Sequence, residues 1–196
     1  MESKLIVSLC NGSGSWEAPY LRDGGYTVLG VDPKNETGDV RDFKIPDGPV
    51  HGILCGVPCT EFAGSGARWW ALKPPHLLTD ALEIVAACLD IIEECKPAFW
   101  ALENPVGRLA RVMPRLGPWV YTWQPHEYGG YLPETEQRQD AYTKRTCMWG
   151  RHRQPIRKPI PPVDGSKLHR LGPSPERASL RSVTPAGFSQ AFFEAN

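Results

Sequence analysis

The sequence predicts an α/β protein with a mainly parallel sheet and helices on both faces. Short apolar runs at Leu5–Leu9, Tyr26–Val31, Val50–Cys55 and Ala98–Leu102 have the length and composition of buried strands. A longer stretch, His76–Cys95, repeats its apolar residues close to a helical period. These pieces alternate along the chain, as parallel strands joined by crossovers require. At 196 residues the chain fits one α/β core of ordinary size, so residues 1–196 are expected to form a single domain.

Leu5–Leu9 runs into a turn carrying Gly12 and Gly14, and Trp16–Asp23 is expected as the first helix, its start marked by Ser13 and Ser15. Tyr26–Val31 follows and ends at Asp32. Strand, glycine turn, helix, strand and acid form the pattern of a nucleotide-binding half, in which a carboxylate at the second strand's end can accept both hydroxyls of a ribose. A glycine turn alone is equally a tight connection. Val50–Cys55 leads into Gly56-Val57-Pro58-Cys59-Thr60. A thiol behind a proline on a tight turn can be held still and presented to a ligand, as covalent catalysis requires; the plainer reading of any cysteine is a buried packing residue, and Cys88 and Cys95 belong there.

Helix His76–Cys95 stops before Pro97, which forces an extended path into Ala98–Leu102 and delivers Glu103 at the end of an apolar strand. A partly desolvated carboxyl there is expected to have a raised pKa and to serve as a proton donor. Gly12, Asp32, Cys59 and Glu103 would all emerge at the carboxyl edge of the sheet, where open α/β folds collect ligands. Val120–Trp123 and Thr146–Trp149 read as further strands, separated by a polar loop from about His126 to Asp140. Arg151–Pro175 is rich in proline and basic residues and reads as an irregular surface excursion. Thr184–Phe193 is expected as a final helix with Pro185 in its first turn.

The order of glycine turn, Pro58-Cys59 and Glu103-Asn104 resembles the DNA cytosine-5 methyltransferases, from Leu5 to about Gly150 and again near Arg181. The resemblance implies a Rossmann-like fold that uses S-adenosyl-L-methionine, with Cys59 as nucleophile and Glu103 donating a proton to cytosine N3. It places Asn11, Gly12 and Gly14 near the methionine part of the cofactor and Asp32 on the ribose. Asp39 would read the adenine amino group, with Val40 packing on the ring, and Pro58 and Ser182 would complete the cofactor side. Asp39 as simple loop solvation is the competing reading. Asn104, on the substrate side, would fix the turn after Glu103. Lys144-Arg145-Thr146 resembles a motif in which Arg145 orients the base or the nucleophile turn. Cys10 stands where the family commonly has an aromatic residue, and Pro105 replaces its usual apolar one.

The family also inserts a recognition domain of many tens of residues, and here residues 151–180 stand in its place. Such a segment can contact phosphates but reads few base pairs, so low sequence specificity or a recognition partner subunit is expected. DNA is the leading substrate; RNA, a free pyrimidine nucleotide, or a non-catalytic binding role are the alternatives. Compactness would suit a phage enzyme. The loop Ala63–Trp70, with Arg68, Trp69 and Trp70, could fold over a base, or its tryptophans could pack in the core.

Charge gives no global support for a nucleic-acid binder, since Lys plus Arg and Asp plus Glu are each 22. The distribution is uneven: from Arg151 to Arg181 eight basic residues face only Asp164 and Glu176. Six cysteines without C-x-x-C pairing predict reduced thiols in the cytoplasm and no structural metal site. The apolar runs are too short to span a membrane.

Overall fold

The computed structural model describes residues 3–10, 12–35, 37–172, 174 and 177–196. Six strands form one sheet in the order β2-β1-β3-β4-β6-β5, with β1 at Lys4–Leu9, β2 at Tyr26–Val31, β3 at Val50–Cys55, β4 at Phe99–Pro105, β5 at Tyr121–Trp123 and β6 at Thr146–Arg151. β2, β1, β3 and β4 are parallel neighbours, with Val7 opposite Leu29 on one side and Ile53 on the other. β6 runs antiparallel to both β4 and β5, pairing Glu103 with Met148 and Tyr121 with Met148. The sheet is therefore mixed, and the reversal has a consequence for the site. A reversed strand begins at the edge where its neighbours end, so residues just before β6 join the carboxyl ends of β1, β3 and β4.

Alternation along each strand sends successive side chains to opposite faces. Val7, Ile53, Cys55 and Leu102 meet the helix α2, Pro75–Cys95, through Ala81, Val85, Cys88, Leu89 and Ile92. The α2 stripe follows the expected period, and the helix ends where Lys96 turns left-handed at φ 46° and donates its N–H to Ile92 O, one residue before Pro97. Ile6, Leu54, Ala101 and Met148 point the other way, onto an aromatic layer of Trp16, Tyr20, Trp123, Phe188 and Phe192. Phe188 stacks on Trp123 at 3.7 Å between centroids, and Trp16 meets Phe192 edge-on at 5.5 Å. Pairs of this kind contribute about 0.5–1.5 kcal/mol beyond their burial.

Helix α1 covers Ala18–Asp23 rather than starting at Trp16. Trp16 is fully buried before the helix begins, Glu17 takes the cap position, and Ser13 instead accepts from Ser15 N at 3.3 Å. Pro19 suits the first turn, and Gly24 closes the helix at φ 78°. The polar stretch after β5 folds as three short 3-10 turns, and a four-residue α3, Leu109–Val112, follows β4. The last helices are α4, Arg177–Ser182, and α5, Ala186–Ala195, with Pro185 at the cap of α5 rather than inside it.

The irregular excursion expected over Arg151–Pro175 is shorter at its start, where Arg151 ends β6, and is interrupted by a 3-10 turn at Lys167–His169; residues 152–166 carry no regular element, yet they are fastened to the body. Ile160 N donates to His126 O at 2.8 Å, Gly130 N to Lys158 O at 2.9 Å, and Thr143 N to Gly165 O at 2.8 Å. A side chain at Gly130 would meet Lys158 O at 2.8 Å, so the segment lies directly on that turn. Basic residues within and at either end of the segment serve this docking. Arg151 donates to Pro97 O, Arg157 to Thr122 O and Lys167 to Gln139 O. The local surplus of charge is thus partly spent on backbone carbonyls, leaving fewer free cations than the sequence suggests. Among the described residues no helix is long and apolar enough to cross a membrane, and no cluster of His, Cys, Asp or Glu is arranged to hold a metal.

Candidate active site

The carboxyl edge of the sheet holds a cavity of about 290 Å³. Gly12 and Asp32 line one side, with Asp39 and Val40 beside them. Pro58, Cys59 and Glu103 line the other, and Lys144 and Ser182 also face it. Residues from widely separated segments thus converge on one space, as the strand-edge argument predicts.

The first wall is built from the turns after β1 and β2. Gly12 N donates to Asp32 Oδ2 at 3.0 Å and Lys34 N to Asp32 Oδ1 at 2.8 Å. A Cβ at Gly12 would lie 2.8 Å from Asp32 Oδ1, so only glycine allows this approach. Asp32 is 9% exposed, and each of its oxygens keeps a further lone pair for a ligand hydroxyl. Asp39 caps the 3-10 turn Val40–Asp42 and binds the Arg41 guanidinium at 2.9 and 2.5 Å, which holds its carboxyl below the usual range. Gly14 shapes the turn at φ 65° without lining the cavity, and Ser13 lines it instead. Asn11 lies outside the described residues. Cys10 takes a left-handed φ of 56°, uncommon for a residue with a Cβ, and its Sγ sits 3.9 Å from Cys88 Sγ. That thiol contact, followed by burial, pushes the Cys10 pKa up. All six cysteines are free.

The second wall is the nucleophile turn and its buttress. Gly56 N donates to Leu9 O at 2.9 Å, and Phe62 N and Ala63 N both donate to Cys59 O, at 3.0 and 2.9 Å, so the chain folds back tightly around the thiol. Asn104 is fully buried, and its Nδ2 donates to Val57 O at 3.1 Å and Pro58 O at 3.4 Å. It supports the turn from beneath and does not face the cavity. Gly107 completes the brace, since a Cβ there would meet Phe62 O at 1.8 Å, and Arg108 donates from N to Phe62 O and from Nε to Glu61 O. Nothing in the spacing of motifs singled out Gly107; only the backbone approach reveals it.

Cys59 is partly buried, and burial raises its thiol pKa, as does the nearby Glu103 carboxyl, while Lys144 and Arg181 pull it down. Glu103 is 7% exposed, with its pKa raised by burial against the opposing charge of Lys144. Its Oε2 has no hydrogen-bond partner among the described residues. Lys34, Lys144 and Arg181 line the cavity, and Lys144, the cation that acts on both Cys59 and Glu103, donates from Nζ to Arg181 O at 2.9 Å. Arg145 points elsewhere: its Nε approaches Thr122 Oγ1 at 3.4 Å, and it lines a second depression that also reaches Cys59. Arg68 lines a third depression, again shared with Cys59. Ser182 faces the main cavity but gives its hydroxyl proton to Ser179 O at 2.8 Å. Ile84 of α2 supplies an apolar wall that its sequence context did not single out.

The donor set suits an adenosyl ligand: a glycine-walled approach, a carboxylate at the end of β2, and an apolar floor from Val40 and Ile84. The unpartnered Glu103 Oε2 beside a thiol suits a second, reacting ligand.

No protein-family model matches the sequence, and neither does any curated protein. A solved structure of a protein encoded within a prophage (E. coli), provisionally assigned as a DNA modification methyltransferase, matches with a TM-score of 0.51 at 15% identity. The match covers 89% of this chain and 50% of the other, so the chain spans about half the length of that protein. At this identity the likeness is one of fold.

Proposed function

We propose that this chain is an S-adenosyl-L-methionine-dependent methyltransferase acting on C5 of cytosine, with DNA as the leading substrate. The observation that carries the reading is the single cavity in which the Gly12–Asp32 turn, the Cys59 thiol and the buried Glu103 carboxyl meet. The fold likeness to a prophage-encoded DNA modification methyltransferase is consistent with it. In this reading residues 1–196 work as one methyltransferase domain, with 151–180 in place of a recognition domain.

Asp32 and Gly12 would hold the nucleoside part of the cofactor, with Val40 beside its base and Ser182 toward its carboxylate. Bound there, S-adenosyl-L-methionine supplies an electrophilic methyl on a sulfonium. Cytosine C5 is a weak nucleophile until a thiolate adds at C6. Cys59 forms that carbon–sulfur bond, and the ring electron pair moves toward N3 and C5. Glu103, kept protonated by burial, donates its proton to N3 as the negative charge develops. Lys144 offsets part of the burial cost of the Cys59 thiolate. After C5 has been modified, water takes the C5 proton, N3 returns its proton to Glu103, and the electron pair re-forms the C5–C6 double bond as the C6–sulfur bond breaks and frees Cys59 as the thiolate. Asn104 and Gly107 hold the turn still throughout.

The direct test is labelled-methyl transfer to duplex DNA, single-stranded DNA, RNA and free pyrimidine nucleotides, with Cys59→Ala beside the wild type. Label on cytosine C5 is expected, reduced at least about a thousandfold in Cys59→Ala while cofactor affinity stays within about twofold. Tight cofactor binding with no transfer to any pyrimidine would refute the proposal and favour a binding role.

A further inference from the structure

Outside the cofactor cavity, two depressions of about 390 and 200 Å³ meet at Cys59 and share Ser65 and Arg181. Among the described residues no carboxylate lines either one. Lys73 is committed to Glu61 at 2.6 Å, and Lys144 donates to Arg181 O. Arg68, Arg145 and Arg181 have no carboxylate partner among the described residues; Arg145 and Arg181 make only neutral contacts, to the hydroxyls of Thr122 and Ser65.

Trp69 lines the larger depression together with Arg68 and Arg181, and Arg145 lines the smaller one, which shares Arg181 with it. Trp69 belongs to the 3-10 segment Gly64–Leu72, nine residues long where such runs rarely exceed three or four, and none of the nine is buried. Trp69 is 51% exposed, with the Arg68 guanidinium 5.0 Å from its ring, whereas Trp16 and Trp123 are almost fully buried. Its neighbour Trp70 is held under Arg108 at 4.3 Å. A half-exposed indole beside the nucleophile, sharing its depression with guanidinium groups that have no carboxylate partner among the described residues, has the components of a stacking platform for a strand with unpaired bases. Hydrophobic docking of a protein is less suited to it, because the surrounding charge is of one sign.

We infer that Trp69 stacks on the base next to the target in a single-stranded nucleic acid, with Arg68, Arg145 and Arg181 holding the flanking phosphates. The inference rests on the proposed function for the identity of the target base and names the substrate form. A single strand presents its cytosine without the few kcal/mol that flipping from a duplex requires, which suits a chain with only the short segment 151–180 where the resembling family carries a recognition domain.

Fluorescence anisotropy of labelled oligodeoxycytidine at low salt, without cofactor, tests it with the full chain. Trp69→Ala should weaken binding by about 5- to 150-fold. Trp69→Phe should retain most of the affinity. Trp119→Ala, at an exposed tryptophan outside both depressions, should match the wild type. An RNA strand of the same sequence distinguishes the sugar, and tight binding of either strand supports the inference. Unchanged binding by Trp69→Ala, a duplex bound more tightly than the single strand, or free dCMP bound as tightly as the oligonucleotide would overturn it. Since binding is read without catalysis, failure here and failure of methyl transfer are separate results.

Discussion

The two walls of the cavity are built on opposite terms. On the Gly12–Asp32 side nearly every polar group has a protein partner: Asp32 accepts two backbone amides, and Asp39 holds Arg41. On the Cys59–Glu103 side the backbone is braced just as firmly, but the chemically active atoms are left over. Glu103 Oε2 is buried without a partner, and burial raises the pKa of both the thiol and the carboxyl. One wall is finished before a ligand arrives and selects by shape; the other carries an electrostatic cost that a substrate can relieve. Unsatisfied buried groups cost about 1–3 kcal/mol each, so retaining one beside a thiol is a choice of reactivity over stability.

Removing the strained group on the reactive wall should show the contrast most strongly. Glu103→Gln is expected to slow methyl transfer by about 10²- to 10⁴-fold, the usual contribution of a positioned acid, in single-turnover assays. The same variant should behave oppositely in stability. Because the folded pKa of Glu103 lies above its ordinary value, the wild type binds an extra proton when folded and loses stability as pH rises through that folded value. Glu103→Gln escapes the loss, so its melting temperature should gain on the wild type as pH rises from the ordinary carboxyl range through the raised folded value. A melting-temperature difference that does not change with pH would contradict the assignment.

On the finished wall, Gly12→Ala should act through shape alone. The new methyl would lie 2.8 Å from Asp32 Oδ1 and must displace it, so cofactor affinity by calorimetry should fall by about 10- to 100-fold. The pH dependence of transfer at saturating cofactor should stay as in the wild type. A smaller effect is expected for Lys144→Met, which removes a positive charge that lowers both Cys59 and Glu103. Both limbs of the pH–rate profile should then move to higher pH together. Movement of one limb alone would mean that Lys144 acts on a single group.

Much of the first wall was legible in the sequence because it depends on local features. β1, β2 and β3 are compact apolar runs, α2 keeps a helical period over twenty-one residues, and Gly12 and Asp32 follow directly from strand ends. The second wall was legible in its residues and less so in its arrangement. Reversal of β6 is set by pairing with β4 and β5, not by its own residues, and it decides that Lys144 rather than Arg145 faces Cys59 and Glu103. Asn104 could be named from its motif, but its place beneath Val57 and Pro58 is a tertiary fact, as is the clearance that Gly107 provides. Segment 152–166 looked free because proline and charge conceal a backbone that bonds to distant turns.

The aromatic layer beneath the sheet ties the order of synthesis to the order of folding. Trp16 and Tyr20 emerge early, yet the residues that close over them, Phe188 and Phe192, lie in α5, some 170 positions later. A nascent chain can pair β1 with β2 and lay α2 on the opposite face while that layer is still open. Until α5 leaves the ribosome, large indole and phenol surfaces face solvent, so translation that halts shortly before residue 186 should yield a sticky, chaperone-dependent product.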